Sequence, residues 1–528
     1  MSKSSSLAKV SAKGGFNLFW GVAASSIISA LGVMIVAGIL SEGEYGLYTI
    51  ALTAPLLIQQ LRDFGIDQAT IKYIAQYNQE NKPTKIKNIL AAALTFEIFL
   101  GLTLSLILYL LSGFLAANIF NRPEISPLLQ IASITIFAQA LFKVANSAFI
   151  GYEKMKYSST NLVVQSVLKT LLMIFLVGSG FGVFGAILGY TIASVITGII
   201  ALTLLYLKIY KKLRKQNNKK LEIVQTLKNM FKYGLPISGS IMLSGFITQF
   251  YNLLVAIYLT DQIVGNYRVA LNFAVLVAFF VTPVSTIMFP AFSKINAQKE
   301  PKTLREVFQS SVKYASLLII PTTFMVMVLS QPAVSTLFGL EKYQLSPLYL
   351  SLYIILYLFT AFGHLSSENF IKGQGRTDVN LKLYILSSTV GTILALTLIP
   401  TYGIIGLITT ILTSAILRLA FSLWWIKKHY HFTINWKSST QILAASATSA
   451  LITYITISQL NLANWITLIL GATIYLGTYL ITAPLMGAIN QKDITNLKEM
   501  LKPLGRLTPI LNLPLNIIEK IIQTLHKH

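Results

Sequence analysis

Cysteine is missing altogether from this 528-residue chain, which excludes disulfides, thiolate nucleophiles and cysteine metal sites and leaves the redox compartment open. Charge is scarce as well. Asp, Glu, Lys and Arg together make 11% of the residues, far below the share of about 25% in soluble domains. Histidine occurs five times, never in HExxH or related spacing, and His429 and His431 fall in a basic connection. No nucleophile, base and orienting acid stand out as a set. The expectation is therefore no metal, no cofactor and no enzymatic centre. Acidic residues are the rarer charges, 18 against 42 lysines and arginines, for a formal net charge of +24.

Apolar residues take their place, at 54% of the chain. About fourteen segments are long enough to cross a hydrocarbon core of roughly 30 Å as helices. They lie near 15–40, 46–75, 88–111, 127–151, 158–180, 183–207, 233–260, 264–292, 308–331, 347–373, 382–400, 402–426, 439–459 and 463–487. Backbone groups in lipid must pair within the segment, and the short alternating strands of a barrel are not seen. The fold class is an all-α polytopic membrane protein. The N-terminal stretch MSKSSSLAKVSAKGG is basic, but the apolar run after it continues to Leu40. That is too long for a signal h-region, so the first helix is expected to stay.

The basic residues set an orientation. Lys3, Lys9 and Lys13, Lys82, Lys85 and Lys87, Lys154 and Lys156, the run KIYKKLRKQNNKK at 208–220, Lys294 to Arg305, Lys372 and Arg376, Lys427, Lys428 and Lys437, and the basic tail all fall on one side. The other side carries Arg122 and Lys342 beside Glu42, Glu44, Glu124, Asp261 and Glu341. The positive-inside rule puts both termini in the cytoplasm. It also accounts for most of the net charge, which is spread over inner loops rather than gathered on a soluble nucleic-acid-binding domain.

The chain repeats itself. Residues 40–52, LSEGEYGLYTIAL, return as LTDQIVGNYRVAL at 259–271. Leu40 pairs with Leu259, Glu42 with Asp261, Gly46 with Gly265 and Tyr48 with Tyr267, 219 residues apart. Further on, Gly182 and Gly185 in FGVFG match Gly403 and Gly406 in YGIIG, 221 residues apart. Such repeats mark transporters built from two half-bundles. The expected organisation is an N-terminal lobe of six helices over 1–207, a basic cytoplasmic linker over 208–232, a second six-helix lobe over 233–428, and two added helices over 429–487. A cytoplasmic tail follows over 488–528, with an amphipathic helix that Pro514 starts and that lies on the inner leaflet by its Leu515, Ile518, Ile521, Ile522 and Leu525 stripe, the alternative being a fold-back onto the inner loops. The GxGxxG at 180–185 reads as an outer turn, since no βαβ unit surrounds it.

Ionisable groups inside spans are costly in lipid and mark a pathway or a buried pair. On the second helix Gln59, Asp63, Asp67 and Thr70 make one stripe beside Arg62, which lies roughly 24 Å in from Gly46. Lys143, Lys169, His364, Glu368 and Arg418 are similarly deep, and Gln249, Asn252 and Arg268 add polarity on the seventh and eighth helices. Asp63 and Asp67 pairing with Arg62 and Lys72, and Lys143, Lys169 and Arg418 bracing helices, are the structural alternatives. As a group the deep charges are mostly cationic, which suits an anionic cargo.

Together the LSEGEYGLY turn, the LRDFGIDQATIKYIA that follows, the inner turn FIGYEKMKY, the FGVFGAILGY opening of the sixth helix and the six-six-two layout resemble the polysaccharide transport family of flippases. This family contains the O-antigen flippase Wzx, within the superfamily of multidrug and lipid-linked oligosaccharide exporters. The resemblance implies export of a polyprenyl phosphate- or pyrophosphate-linked oligosaccharide by alternating access, through a cavity lined by helices one, two, seven and eight. It implies a plasma-membrane protein acting as a monomer on that lipid-linked substrate, among membrane lipid and other polysaccharide assembly proteins, without nucleic acid. Candidate substrate-binding residues are Arg62, Gln249, Asn252, Arg268, Lys143, Lys169, His364 and Arg418, and candidate ion-coupling residues are Asp63, Asp67 and Glu368. The first helix lacks the carboxylate of archaeal-type multidrug exporters and the arginines of murein lipid II flippases. The alternative is an ion-coupled multidrug or small-molecule antiporter. A membrane-embedded glycosyltransferase or polymerase fits less well, because the outer loops are very short.

Overall fold

A computed structural model describes residues 3–62, 64–214, 222–295, 298–501 and 508–525, and every regular element among them is helical. The chain forms two compact units, Met1–Asn272 with Ala395–Leu407 and Phe273–Leu394 with Ile408–His528.

The first unit holds α1 (Lys3–Ile39), α2 (Glu42–Arg62), α3 (Ile66–Gln79), α4 (Pro83–Phe114), α5 (Ser126–Gly151), α6 (Met155–Leu176), α7 (Gly182–Leu205), α8 (Lys211–Arg214), α9 (Ile223–Tyr258) and the start of α10 (Asp261–Ser293). Prolines in the first turns of α4 and α5, where no N–H is needed, fix their starts. The second span is not the single helix expected over 46–75. It breaks between α2 and α3, where Phe64 and Gly65 take positive φ of 45° and 84°. The cause is a crossing too close for side chains: a Cβ on Gly65 would stand 2.2 Å from the carbonyl carbon of Gly234 on α9. Beyond the break, Ile66, Ala69 and Ile74 join a core with Leu90, Ala93, Ala145, Phe149 and Met230.

The glycine-rich string at 180–185 is a turn, with Gly180 at φ 90° and Gly182 at φ 52°, ψ −137°. Its repeat partner Gly403 has φ 60°, ψ −133°. The two glycines adopt one backbone conformation, open to residues without a Cβ, so the repeat read in sequence extends to dihedral angles.

The second unit holds the rest of α10, then α11 (Pro301–Val328), α12 (Ser330–Phe338), α13 (Ser346–Tyr353), α14 (Ile355–Leu358), α15 (His364–Gly373), α16 (Thr377–Tyr430) apart from its Ala395–Leu407 stretch, α17 (Trp436–Ser458), α18 (Asn464–Leu485), α19 (Gln491–Leu501) and α20 (Thr508–Leu525). The tenth span is bent by 56° between residues 346–362 and 364–373, at Gly363 with φ 83°. Among the described residues nine helices are long and apolar enough to cross a membrane. Two of them, of 59 and 54 residues, contain the glycine turns at 180–182 and 403 and hold two spans each, since a straight helix of that length would reach about 80 Å. With the broken second and tenth spans and the shorter Met242–Tyr258, the protein is a multi-pass membrane protein of about fourteen spans.

The tail folds back on protein, the alternative to the leaflet placement, and its helix starts earlier than expected. α20 begins at Thr508 and runs through Pro514, and its Leu515, Ile518 and Ile522 are buried against Tyr475, Tyr479 and Ile494 of α18 and α19. Glu519 accepts from Lys498 at 2.5 Å and from Gln491 at 2.7 Å, while Lys313 holds Asp493 at 2.5 Å. The stripe is therefore used against protein rather than lipid, each fully buried aliphatic contributing about 1.5–3 kcal/mol.

Candidate functional site

The two repeated turns meet directly inside the first unit. In the first, Ser41 and Glu44 form a capping box: the Ser41 N–H donates to Oε2 of Glu44 at 2.8 Å and the Glu44 N–H to Oγ of Ser41 at 3.3 Å. A Cβ on Gly46 would lie 1.8 Å from the carbonyl oxygen of Asp261, and one on Gly265 would lie 2.3 Å from that of Glu42. Because Gly46 matches Gly265 and Glu42 matches Asp261, these are one contact seen twice, related by an internal pseudo-two-fold. Asn266 adds a hydrogen bond to Glu42 at 2.6 Å. Arg122 then fastens the second turn, donating to Oδ1 of Asp261 at 2.6 Å and to the carbonyls of Ala256 and Leu259 at 2.8 and 2.6 Å. That clamp explains an arginine on the side where basic residues are rare.

Next to this crossing is a cavity of about 220 Å³. Its lining pairs repeat-equivalent positions: Val33 with Asn252, Tyr45 with Val264, Tyr48 with Tyr267, Thr49 with Arg268, and Thr53 with Asn272. The cavity thus sits on the pseudo-two-fold, but the partners differ in chemistry, and charge enters from Arg268 of α10 and Lys169 of α6. Among the described residues neither cation has a carboxylate in ion-pair range. Lys169 stands 5.8 Å from the Tyr190 ring centroid. Asn252 donates to Gln249 at 3.0 Å and Asn272 to the Tyr45 hydroxyl at 2.9 Å. An anion about 6 Å from one such cation gains on the order of 3 kcal/mol at an effective dielectric of 20, roughly a hundredfold in affinity, and a cation loses as much.

Of the residues singled out in sequence, Lys169, Gln249, Asn252 and Arg268 line this cavity and the others lie elsewhere. Arg62 is fully buried and ion-paired with the equally buried Glu97 of α4. Asp63 lies outside the described residues. Gln59 donates to Thr135 at 3.3 Å and Asp67 accepts from Ser147 at 3.0 Å, so the stripe expected on one continuous helix is instead two short segments bonded to α5. Lys143 is half-buried on α5. In the second unit Glu368 accepts from Lys372 at 2.5 Å, His364 begins α15, and Arg418 stands 5.6 Å from the Tyr384 ring centroid. Glu97 escaped sequence reading although it is a lone carboxylate in an apolar run. Thr49 is reached by carrying Arg268 across the repeat, while Asn272 had no such signal because its partner Thr53 was not singled out. Among the described residues no three His, Asp or Glu side chains group as metal ligands.

A family profile described as "Polysaccharide biosynthesis protein" matches residues 35–347, more than half of the chain and all of the cavity except Val33. The chain belongs to this family. The lipopolysaccharide biosynthesis protein WzxC of Escherichia coli is 24% identical over 378 residues, 70% of this chain and 72% of that protein. A second profile, "Lipid II flippase MurJ", matches residues 224–476. In solved structures, the lipid II flippase MurJ in an inward closed conformation has a TM-score of 0.71 at 17% identity, covering 89% of this chain and 98% of that one. An inward-facing multidrug resistance MATE family transporter has a TM-score of 0.60, also at 17% identity, covering 79% and 94%. Likeness at such identity concerns the fold, which flippase and multidrug transporter share, so cargo must be argued from the cavity.

Proposed function

We propose that this member of the polysaccharide biosynthesis family is a flippase that moves a polyprenyl phosphate- or pyrophosphate-linked oligosaccharide from the inner to the outer leaflet by alternating access. The observation that carries the reading is the cavity on the repeat axis, with two cations, no carboxylate among the described residues, and a wall of tyrosines and amides. Arg268 takes phosphate oxygens through its planar fork and Lys169 adds a point charge. Gln249, Asn252 and the tyrosines hold sugar hydroxyls, and the lipid tail stays in the bilayer. The cavity volume is below the roughly 300–1,000 Å³ of ordinary ligand pockets. Loading and release therefore require it to widen, and parting the Gly46–Gly265 crossing is the outward step.

In this reading both termini are cytoplasmic, the repeats are lobes over 1–207 and 233–428 joined by the basic linker at 208–232, and two further spans and a tail follow the second lobe. Arg62 is structural. Cells lacking the protein should accumulate lipid-linked oligosaccharide on the inner leaflet with unchanged sensitivity to cationic dyes. Loss of dye efflux with normal surface glycan would instead make it a multidrug antiporter.

A further inference from the structure

A second cavity, of about 170 Å³, lies at the basic end of the first unit, away from the repeat axis. It is lined by Tyr73 and Tyr77 of α3, Lys85 and Asn88 of α4, and Glu222 and Gln225 at the start of α9. Its walls are fixed before any ligand arrives. Tyr73 and Tyr77 stack with centroids 5.9 Å apart, and Tyr73 meets Tyr233 edge-on at 5.6 Å. The Tyr73 hydroxyl donates to the carbonyl of Asn229 at 3.4 Å. Lys72 stands 3.8 Å from the Tyr233 centroid and 4.4 Å from that of Tyr73, and Lys85 stands 5.2 Å from that of Tyr77.

The polar groups are of a different kind from those in the larger cavity. Among the described residues the buried side-chain carbonyl oxygen of Asn88 has no hydrogen-bond partner, a costly state that a donor from a ligand relieves. Glu222 is a second acceptor, and its charge offsets that of Lys85. A phosphate would find the attraction of Lys85 offset by Glu222 and, as an acceptor, would leave the Asn88 oxygen unmet. A neutral ring bearing hydroxyl groups serves both acceptors, lays its apolar face on the tyrosines and finds a donor in Lys85. The space equals about six waters, room for one sugar ring.

We infer that this cavity is a monosaccharide subsite, which takes one neutral ring of the glycan at the cytoplasmic side before the charged head group enters the larger cavity. It rests on the flippase reading for its place in transport, but not for binding itself.

The test uses the purified full-length chain in lipid nanodiscs with free monosaccharide probes carrying a photoactivated diazirine: an N-acetylhexosamine, a hexose and a 6-deoxyhexose, each at millimolar concentration. Mass spectrometry should place adducts from at least one probe within residues 73–89 or 222–229, competed by the unmodified sugar and not by inorganic phosphate. Asn88→Leu and Tyr77→Ala should each lower adduct yield at least fivefold, and Arg268→Ala should leave it unchanged. If Asn88→Leu does not fold, Glu222→Gln, at an exposed position, carries the same expectation. No adduct from any probe, adducts that sugar does not compete, competition by phosphate, or variants that label like the parent would each overturn the subsite. A chain that flips lipid-linked glycan but takes no adduct loses the subsite alone, and one that labels but does not flip loses the transport reading alone.

Discussion

Replacing Gly265 or Gly46 by alanine should force apart the two turns that close one end of the cavity. A Cβ at position 46 would be 1.8 Å from the Asp261 carbonyl oxygen, and one at position 265 would be 2.3 Å from the Glu42 oxygen, which is roughly 1–2 Å short of ordinary contact. Neither obstacle is the movable end of a side chain, so helices must shift. Overpacking of this kind costs about 1–3 kcal/mol. If it falls only on the closed arrangement, the closed-to-open ratio drops by about 5- to 150-fold. The chain has no cysteine, so Thr49→Cys alone supplies a reporter in the cavity lining. A membrane-impermeant maleimide added from outside should label it slowly in the parent and at least fivefold faster with Gly265→Ala. Equal rates in protein of equal yield and melting temperature would refute the assignment of this crossing as the outer closure.

Two further outcomes follow from named contacts. Arg62→Ala should lower thermal stability and folded yield, because it leaves the buried Glu97 charge without its ion-pair partner, at about 3–5 kcal/mol. Arg62→Met combined with Glu97→Leu should recover most of the yield and retain glycan export; export lost in that folded double variant would return Arg62 to the substrate path. In the tail, the hydrogen bonds from Lys498 and Gln491 hold the Glu519 carboxyl below its usual pKa. This contribution to docking is present above the ordinary glutamate range and is lost as pH falls through the lowered value. Ile518→Asp, placing a charge in the buried stripe, should release α20 to limited proteolysis at neutral pH, and unchanged protection would contradict the fold-back.

The spans and the repeat were legible because lipid imposes length and apolarity segment by segment, and because the turns at 40–52 and 259–271 keep their glycines where backbones touch. The breaks were not. Residues 61–75 continue a helical pattern through Phe64 and Gly65, and the bend is imposed by Gly234, far along the chain. Arg268, Lys169, Gln249 and Asn252 were found as polar groups at depth, a rule that equally selects Arg62, Lys143, His364 and Arg418, because depth alone does not say which way a side chain faces. The amphipathic stripe of α20 was read correctly as apolar, but periodicity cannot distinguish a lipid surface from the side of α18.

The most direct measurement is flipping by the purified protein in proteoliposomes, with a fluorescent polyprenyl pyrophosphate-linked oligosaccharide as cargo and an impermeant quencher reporting its leaflet. The account predicts transport by the parent, partial transport by Arg268→Lys, where the charge survives without the bidentate fork, and little by Arg268→Ala at normal folded yield. Full transport by Arg268→Ala, or movement of a cationic dye but not of the lipid-linked glycan by the parent, would contradict it.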